Sequence, residues 1–119
     1  MSNVLIVDDV PDITHTMSIL LQLRGHRTAE AFTGAQAIQL MRTRCFDAFL
    51  LDVSLPDISG IEVARAVRQR YGQKPKILAV TGWGHREMRT RCLGAGFDYH
   101  VTKPADGRRI IALIERDKS

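Results

Sequence analysis

The chain has 119 residues, of which 45% are hydrophobic and 25% charged, the size and composition of one globular domain spanning residues 1–119 and too little for two. No apolar run reaches membrane-spanning length, and the N-terminus lacks the basic-then-apolar order of a secretory signal, so the expected compartment is the cytoplasm with no membrane contact. Lys+Arg 17 against Asp+Glu 13 gives a net charge of +4, which suits nucleic acid, an acidic partner or, more simply, solvated helix faces.

Val4-Leu5-Ile6-Val7 is a continuous apolar run of the kind found in a central parallel strand buried on both faces, and Asp8-Asp9 stops it. Pro11 then opens a helix whose apolar face carries Ile13, Met17, Leu20 and Leu21, and Gly25 ends it as a C′ residue. Thr28 to Phe32 is short and half polar, as an edge strand is. Thr33 caps a second helix with Ala37, Ile38 and Met41 inward, and Cys45 follows it. Cys45 and Cys92 have no metal-type spacing and read as reduced, partly buried thiols.

Ala48-Phe49-Leu50-Leu51 is a buried strand that delivers Asp52 to its C-terminal end, and Pro56 marks the turn that follows. Ser59-Gly60-Ile61-Glu62 reads as a capping box opening a third helix, with Ile61, Ala64, Val67 and Tyr71 on one face and Gly72 closing it. Lys76 to Val80 is another apolar strand, stopped by Thr81-Gly82. His85 to Leu93 is a fourth helix of poor periodicity, terminated by Gly94 and Gly96. Asp98 to Val101 is the last edge strand, Thr102-Lys103-Pro104 follows, and Ile110, Ile111 and Ile114 mark a C-terminal helix. Five strand-then-helix units predict an α/β fold with a parallel sheet and helices on both faces.

The polar residues of interest fall directly after strands: Asp8, Asp9, Asp52, Thr81 and Lys103. In open parallel sheets ligands bind outside the carboxyl ends of the strands. Three carboxylates brought together repel one another unless a cation is present, and Mg²⁺ is the hard ion that binds through one or two carboxylates plus waters and phosphate oxygens. The plainer alternative is that Asp8 and Asp9 only favour a helix N-terminus. Lys103 offers a point charge to a phosphoryl oxygen and precedes Pro104, whose bond can be cis; Thr81 offers a hydroxyl.

Val7-Asp8-Asp9, Leu51-Asp52 with Pro56 and Gly60, Thr81-Gly82 and Lys103-Pro104 together resemble the receiver domain of two-component response regulators, of the single-domain or hybrid-histidine-kinase-attached type. The resemblance covers essentially the whole chain. It implies a flavodoxin-like doubly wound fold, a five-stranded parallel sheet in the order 2-1-3-4-5 with five helices. It implies that Asp52 accepts a phosphoryl group from a phosphohistidine of a sensor kinase or histidine phosphotransfer protein. Asp9, Asp52 and the backbone carbonyl of Ser54 would hold Mg²⁺, with Asp8 acting largely through water. Lys103 would pair with Asp52 at rest and with the phosphoryl group afterwards, and Thr81 would swing toward that group and shift the surface from the fourth strand to the fifth helix.

Such a chain is not an enzyme toward other molecules. It phosphorylates and dephosphorylates only itself, and an output partner reads its state, with a homodimer through the fourth helix, fifth strand and fifth helix as one form of output. His100 stands where the family's switch aromatic usually lies, and Tyr99 points to the opposite strand face; His100 is either a pH-sensitive switch residue or a plain surface histidine. Ser54 and Trp83, each two residues past a key site, flank the phosphoryl position and tune its lifetime in the family. Two other readings compete. An aspartyl-nucleophile phosphatase wants a second aspartate where Ser54 stands. A nucleic-acid binder would draw on Arg86, Arg89 and Arg91, but no recognition motif accompanies them and none is expected.

Overall fold

A computed structural model describes residues 1–82 and 94–116. The elements in chain order are β1 (Asn3–Val7), α1 (Pro11–Leu23), β2 (Arg27–Ala31), α2 (Gly34–Thr43), β3 (Ala48–Asp52), α3 (Gly60–Tyr71), β4 (Lys76–Thr81), β5 (Tyr99–Thr102) and α4 (Gly107–Glu115). The five strands form one parallel sheet in the order β2-β1-β3-β4-β5, as the resemblance implies. Four helices lie among the described residues; the helix predicted over 85–93 lies outside them.

The interiors of β1, β3 and β4 are apolar at every position because both faces are covered, and alternate side chains feed two cores. Leu5, Val7, Phe49, Leu51, Ile77 and Ala79 pack with Ala37 and Met41 of α2 and with Ile61, Val63, Ala64 and Val67 of α3. Val4, Ile6, Leu50, Leu78 and Val80 pack with Met17 and Leu21 of α1 and with Ile110, Leu113 and Ile114 of α4. Phe49 is wholly buried and meets Phe46 edge to face at 5.7 Å.

Local chemistry sets the helix ends. Pro11 sits in the first turn of α1, where its missing N–H costs nothing, and Gly25 leaves the helix at φ +90°. Thr33 caps α2 through Gln36 N–H, and the Gln36 side chain accepts in return from Phe32 N–H at 2.8 Å. Ser59 caps α3 as predicted, but its hydroxyl accepts from Ile61 N–H at 3.1 Å, while Glu62 N–H goes to the Ser59 carbonyl. The full capping box is therefore replaced by a single-residue cap.

Two other expectations change. The edge strands are displaced by one residue, to Arg27–Ala31 and Tyr99–Thr102, because pairing with β1 and β4 sets their ends rather than their own polarity. Cys45 is exposed rather than partly buried, since α2 has already ended and the apolar site nearby is taken by Phe46. Cys92 lies outside the described residues. Ile13, on the predicted inner face of α1, is 40% exposed near the helix start. Among the described residues no helix is long and apolar enough to cross a membrane.

At the N-terminal edge of the sheet, Lys76 is buried and donates to the carbonyls of Leu113 at 2.7 Å, Ile114 at 2.9 Å and Arg116. Its ammonium thus closes the C-terminal end of α4, where carbonyls lack helical partners and positive charge is favoured. Lys76→Met keeps the length of the side chain and removes these bonds. It should cost about 1–3 kcal/mol, read as a lower urea midpoint, with faster amide exchange in the last turn of α4.

Candidate functional site

Register builds the centre of the site. Val7 on β1 pairs with Leu51 on β3, so the next residues along, Asp8 and Asp52, lie side by side at adjacent strand ends. Asp52 is also in register with Val80 of β4, one residue short of Thr81. Both carboxylates are almost wholly buried, Asp8 at 3% and Asp52 at 4% exposure, whereas Asp9 is exposed. One carboxylate oxygen from each of Asp8, Asp9 and Asp52 falls within 4.8 Å of the others.

Lys103 reaches back from beyond β5 and bridges the two buried carboxylates, with its Nζ 3.0 Å from Asp52 Oδ2 and 3.1 Å from Asp8 Oδ2. The Lys103–Pro104 bond is cis, and Lys103 N–H donates to the Thr81 carbonyl at 2.7 Å, which ties the lysine's backbone to the end of β4. The remaining carboxylate oxygens are taken by local backbone: Asp52 Oδ1 accepts from Ser54 N–H and Asp8 Oδ1 from Val10 N–H, each at 3.0 Å. Lys103 pairs with Asp52 as the resemblance implies, and the structure adds Asp8 as its second partner.

Burial pushes the Asp52 carboxyl above its ordinary value. The hydrogen bonds from Lys103 and from Ser54 N–H pull it down without cancelling the effect, and the nearby Asp8 charge adds to the rise. Burial alone would lower Lys103, but its hydrogen bonds to Asp52 and Asp8 and their charges outweigh it, so its ammonium is held above the usual lysine value.

The other predicted residues are placed as follows. Thr81 ends β4 with no exposed surface. Ser54 is exposed at the start of the loop after β3, with its amide turned onto Asp52. Gly60 closes that loop by donating to the Val53 carbonyl at 3.0 Å; a Cβ there would overlap the Asp52 carbonyl oxygen and lie 2.9 Å from Val53 Cα, so only glycine lets α3 start so close to the end of β3. His100 is half-buried and in register with Ala79, while Tyr99 packs on the opposite core. The plain surface reading of His100 therefore gives way to a side chain partly enclosed by the fold. Trp83, His85 and the arginines at 86, 89 and 91 lie outside the described residues, and with them the lifetime-tuning expectation for Trp83, the fourth-helix part of the dimer face and the nucleic-acid expectation.

Sequence reasoning missed one contributor. Asp57 binds the first amides of α2, and its only signal was the Pro56-Asp57 turn dipeptide.

Because the folded chain holds the Asp52 proton to higher pH than the unfolded chain does, ionising Asp52 costs stability as pH rises through its raised pKa. Asp52→Asn should therefore melt higher than wild type at pH 7, by on the order of 4 °C. The gap should close below about pH 4, where the carboxyl is protonated in both states. Melting curves across that range check the sign, and a lower Tm for the variant at pH 7 would contradict it.

The family model described as the response regulator receiver domain matches residues 4–115. The response regulator protein PilR of Pseudomonas aeruginosa is 36% identical over 111 residues, 92% of this chain and 24% of PilR. The cell cycle response regulator CtrA of Brucella abortus is 33% identical over 111 residues, 93% of this chain and 47% of CtrA. The chain thus spans less than half the length of these curated relatives. Among solved structures, the chemotaxis protein CheY4 of Vibrio cholerae superposes with a TM-score of 0.90 at 28% identity, covering 98% of each chain. The BeF3-activated DrrB receiver domain superposes with a TM-score of 0.85 at 29% identity, covering 98% of this chain and 99% of that one. With two buried aspartates and a bridging lysine at the carboxyl edge of a 2-1-3-4-5 parallel sheet, this chain belongs to the response regulator receiver domain family.

Proposed function

We propose that Asp52 is the acceptor of the phosphoryl group that receiver domains take up on an aspartate and carry as a signal, and that Mg²⁺ is the ion the reaction requires. The observation that carries this reading is the packing of Asp8, Asp9 and Asp52 around one point, with a lysine already committed to two of them.

The donor set fits the ion. Carboxylate oxygens are hard ligands, Asp9 keeps one side of the cluster open to water, and Mg²⁺ retains waters when it binds. Asp9, Asp52 and the Ser54 carbonyl would hold it, with Asp8 acting through water; when bound, it neutralises charge on the carboxylates and on the incoming phosphoryl oxygens. Asp52 presents a carboxylate oxygen to the phosphorus of a phosphohistidine. The new O–P bond forms as the P–N bond breaks, and the electron pair returns to the imidazole nitrogen. Lys103 meets the phosphoryl oxygens, and the buried wall around Asp52 keeps bulk water from the acyl phosphate. Transfers of this kind need positioning and charge neutralisation more than covalent help.

The chain acts on no substrate other than its own aspartate. The donor is a histidine kinase or histidine phosphotransfer protein, and a partner, or a further domain such as the longer relatives have room for, reads the phosphorylated state. Thr81, buried beside Asp52 and bonded through its carbonyl to Lys103 N–H, is the route by which β4 and β5 respond. His100 lies on that route, three residues before Lys103.

Incubation with Mg²⁺ and a small phosphodonor should add one phosphoryl group by intact mass, and chelation or Asp52→Asn should abolish the gain. Saturating Mg²⁺ should also stabilise the metal-free protein, by about 2.7 kcal/mol at a hundredfold excess over Kd, with Asp52→Asn losing most of that. A wild-type protein that gains no mass, or an Asp52→Asn protein that gains as much, sinks the reading.

A further inference from the structure

The loop from Val53 to Ser59 is fastened at both ends. At its base Gly60 N–H donates to the Val53 carbonyl. At its tip the Asp57 carboxylate crosses to α2 and accepts from Gly34 N–H at 2.8 Å through Oδ1 and from Ala35 N–H at 2.9 Å through Oδ2. The remaining donors of that first turn go to Thr33, whose hydroxyl accepts from Gln36 N–H and whose carbonyl accepts from Ala37 N–H, both at 3.1 Å. The amide end of α2 is thus satisfied by two residues, one local and one from the loop that follows the phosphoacceptor.

Apolar contact reinforces the crossing. Ile58 lies directly over Gly34, where a Cβ would overlap its Cγ1 and approach its Cδ1 at 2.8 Å. The amides of Ala35 and Gly34 hold the Asp57 carboxyl below the usual range, so it stays ionised and bound at neutral pH. Only four residues separate Asp57 from Asp52, and one of them, Ser54, is exposed and touches the site through its backbone.

We propose that Asp57 is a positioning residue for the phosphoryl site: by strapping the loop tip to the start of α2, it holds the Ser54 backbone where its amide orients Asp52 and its carbonyl serves the metal. The proposal rests on the functional reading above. It separates the two caps of one helix end by what else each is tied to. Thr33 stabilises α2 alone, while Asp57 stabilises α2 and the site together.

The experiment compares Asp57→Ala, Asp57→Asn and Thr33→Ala in the full chain, reading Tm, Mg²⁺ affinity by titration calorimetry, and amide exchange at Ser54 without metal. Asp57→Ala should weaken Mg²⁺ binding about tenfold, as loss of support behind a metal ligand does, and speed exchange at Ser54. Asp57→Asn, which keeps one acceptor, should fall between it and wild type, and it also carries the test if the alanine variant unfolds. Thr33→Ala should lower Tm while leaving Mg²⁺ affinity within about twofold of wild type, a difference well below the tenfold expected of the positioning residue. Wild-type affinity in both Asp57 variants overturns the proposal, as does an equal loss in Thr33→Ala, which would make the effect one of stability alone. A wild-type protein that neither binds Mg²⁺ nor accepts a phosphoryl group overturns the functional reading itself, a result distinct from either.

Discussion

Two buried carboxylates side by side on neighbouring strands constrain everything at this edge of the sheet. The β1–β3 register places Asp8 beside Asp52, and burial denies both the water that would dissipate their repulsion. Lys103 answers that repulsion from across β4, with nearly equal distances to the two carboxylates. One ammonium between two carboxylates leaves the centre net negative, and the Asp52 carboxyl stays above its ordinary value even with the lysine in place. A resting site of this kind has room for further positive charge, of the kind a divalent ion would supply.

The rest of the fold serves that arrangement by holding backbone. The Thr81 carbonyl fixes Lys103 N–H, Val10 N–H and Ser54 N–H each take one carboxylate oxygen, and Gly60 permits α3 to begin against the Asp52 backbone. None of these contacts depends on side-chain chemistry at the donating position. They depend on strand ends being in the right place, which the two cores secure from opposite faces. Stability and function share the same elements here: Phe49 and Leu51 anchor β3, and Asp52 uses the position they create.

Much of this was legible in the residue order. The apolar runs at 4–7, 48–51 and 77–80 read as buried strands, and the polar residues that end them as a set collected at one edge of a parallel sheet. Helix ends were legible where the signal is local, as with Pro11, Gly25 and Thr33, because capping is decided within one turn. Strand edges and the Ser59 cap were less so: β2 and β5 take their limits from β1 and β4, and the Ser59 hydroxyl chose Ile61 N–H because Glu62 N–H had the Ser59 carbonyl. Cys45 was misplaced for a similar reason, since burial after a helix end depends on which neighbouring residue, here Phe46, takes the apolar site.

By itself, then, the sequence determined the alternation of strand and helix, the identity of Asp8, Asp9, Asp52, Thr81 and Lys103 as the polar set, and their family. Periodicity and strand-end chemistry are properties of short stretches and survive without knowledge of the neighbours. Only the tertiary structure decided that Lys103 serves Asp8 as well as Asp52, that His100 is partly enclosed, and that Asp57 belongs to the end of α2. Each of those is a contact between segments more than 20 residues apart, set by strand register and loop path. No local pattern encodes such a meeting, because the partner's position is fixed by the packing of everything between.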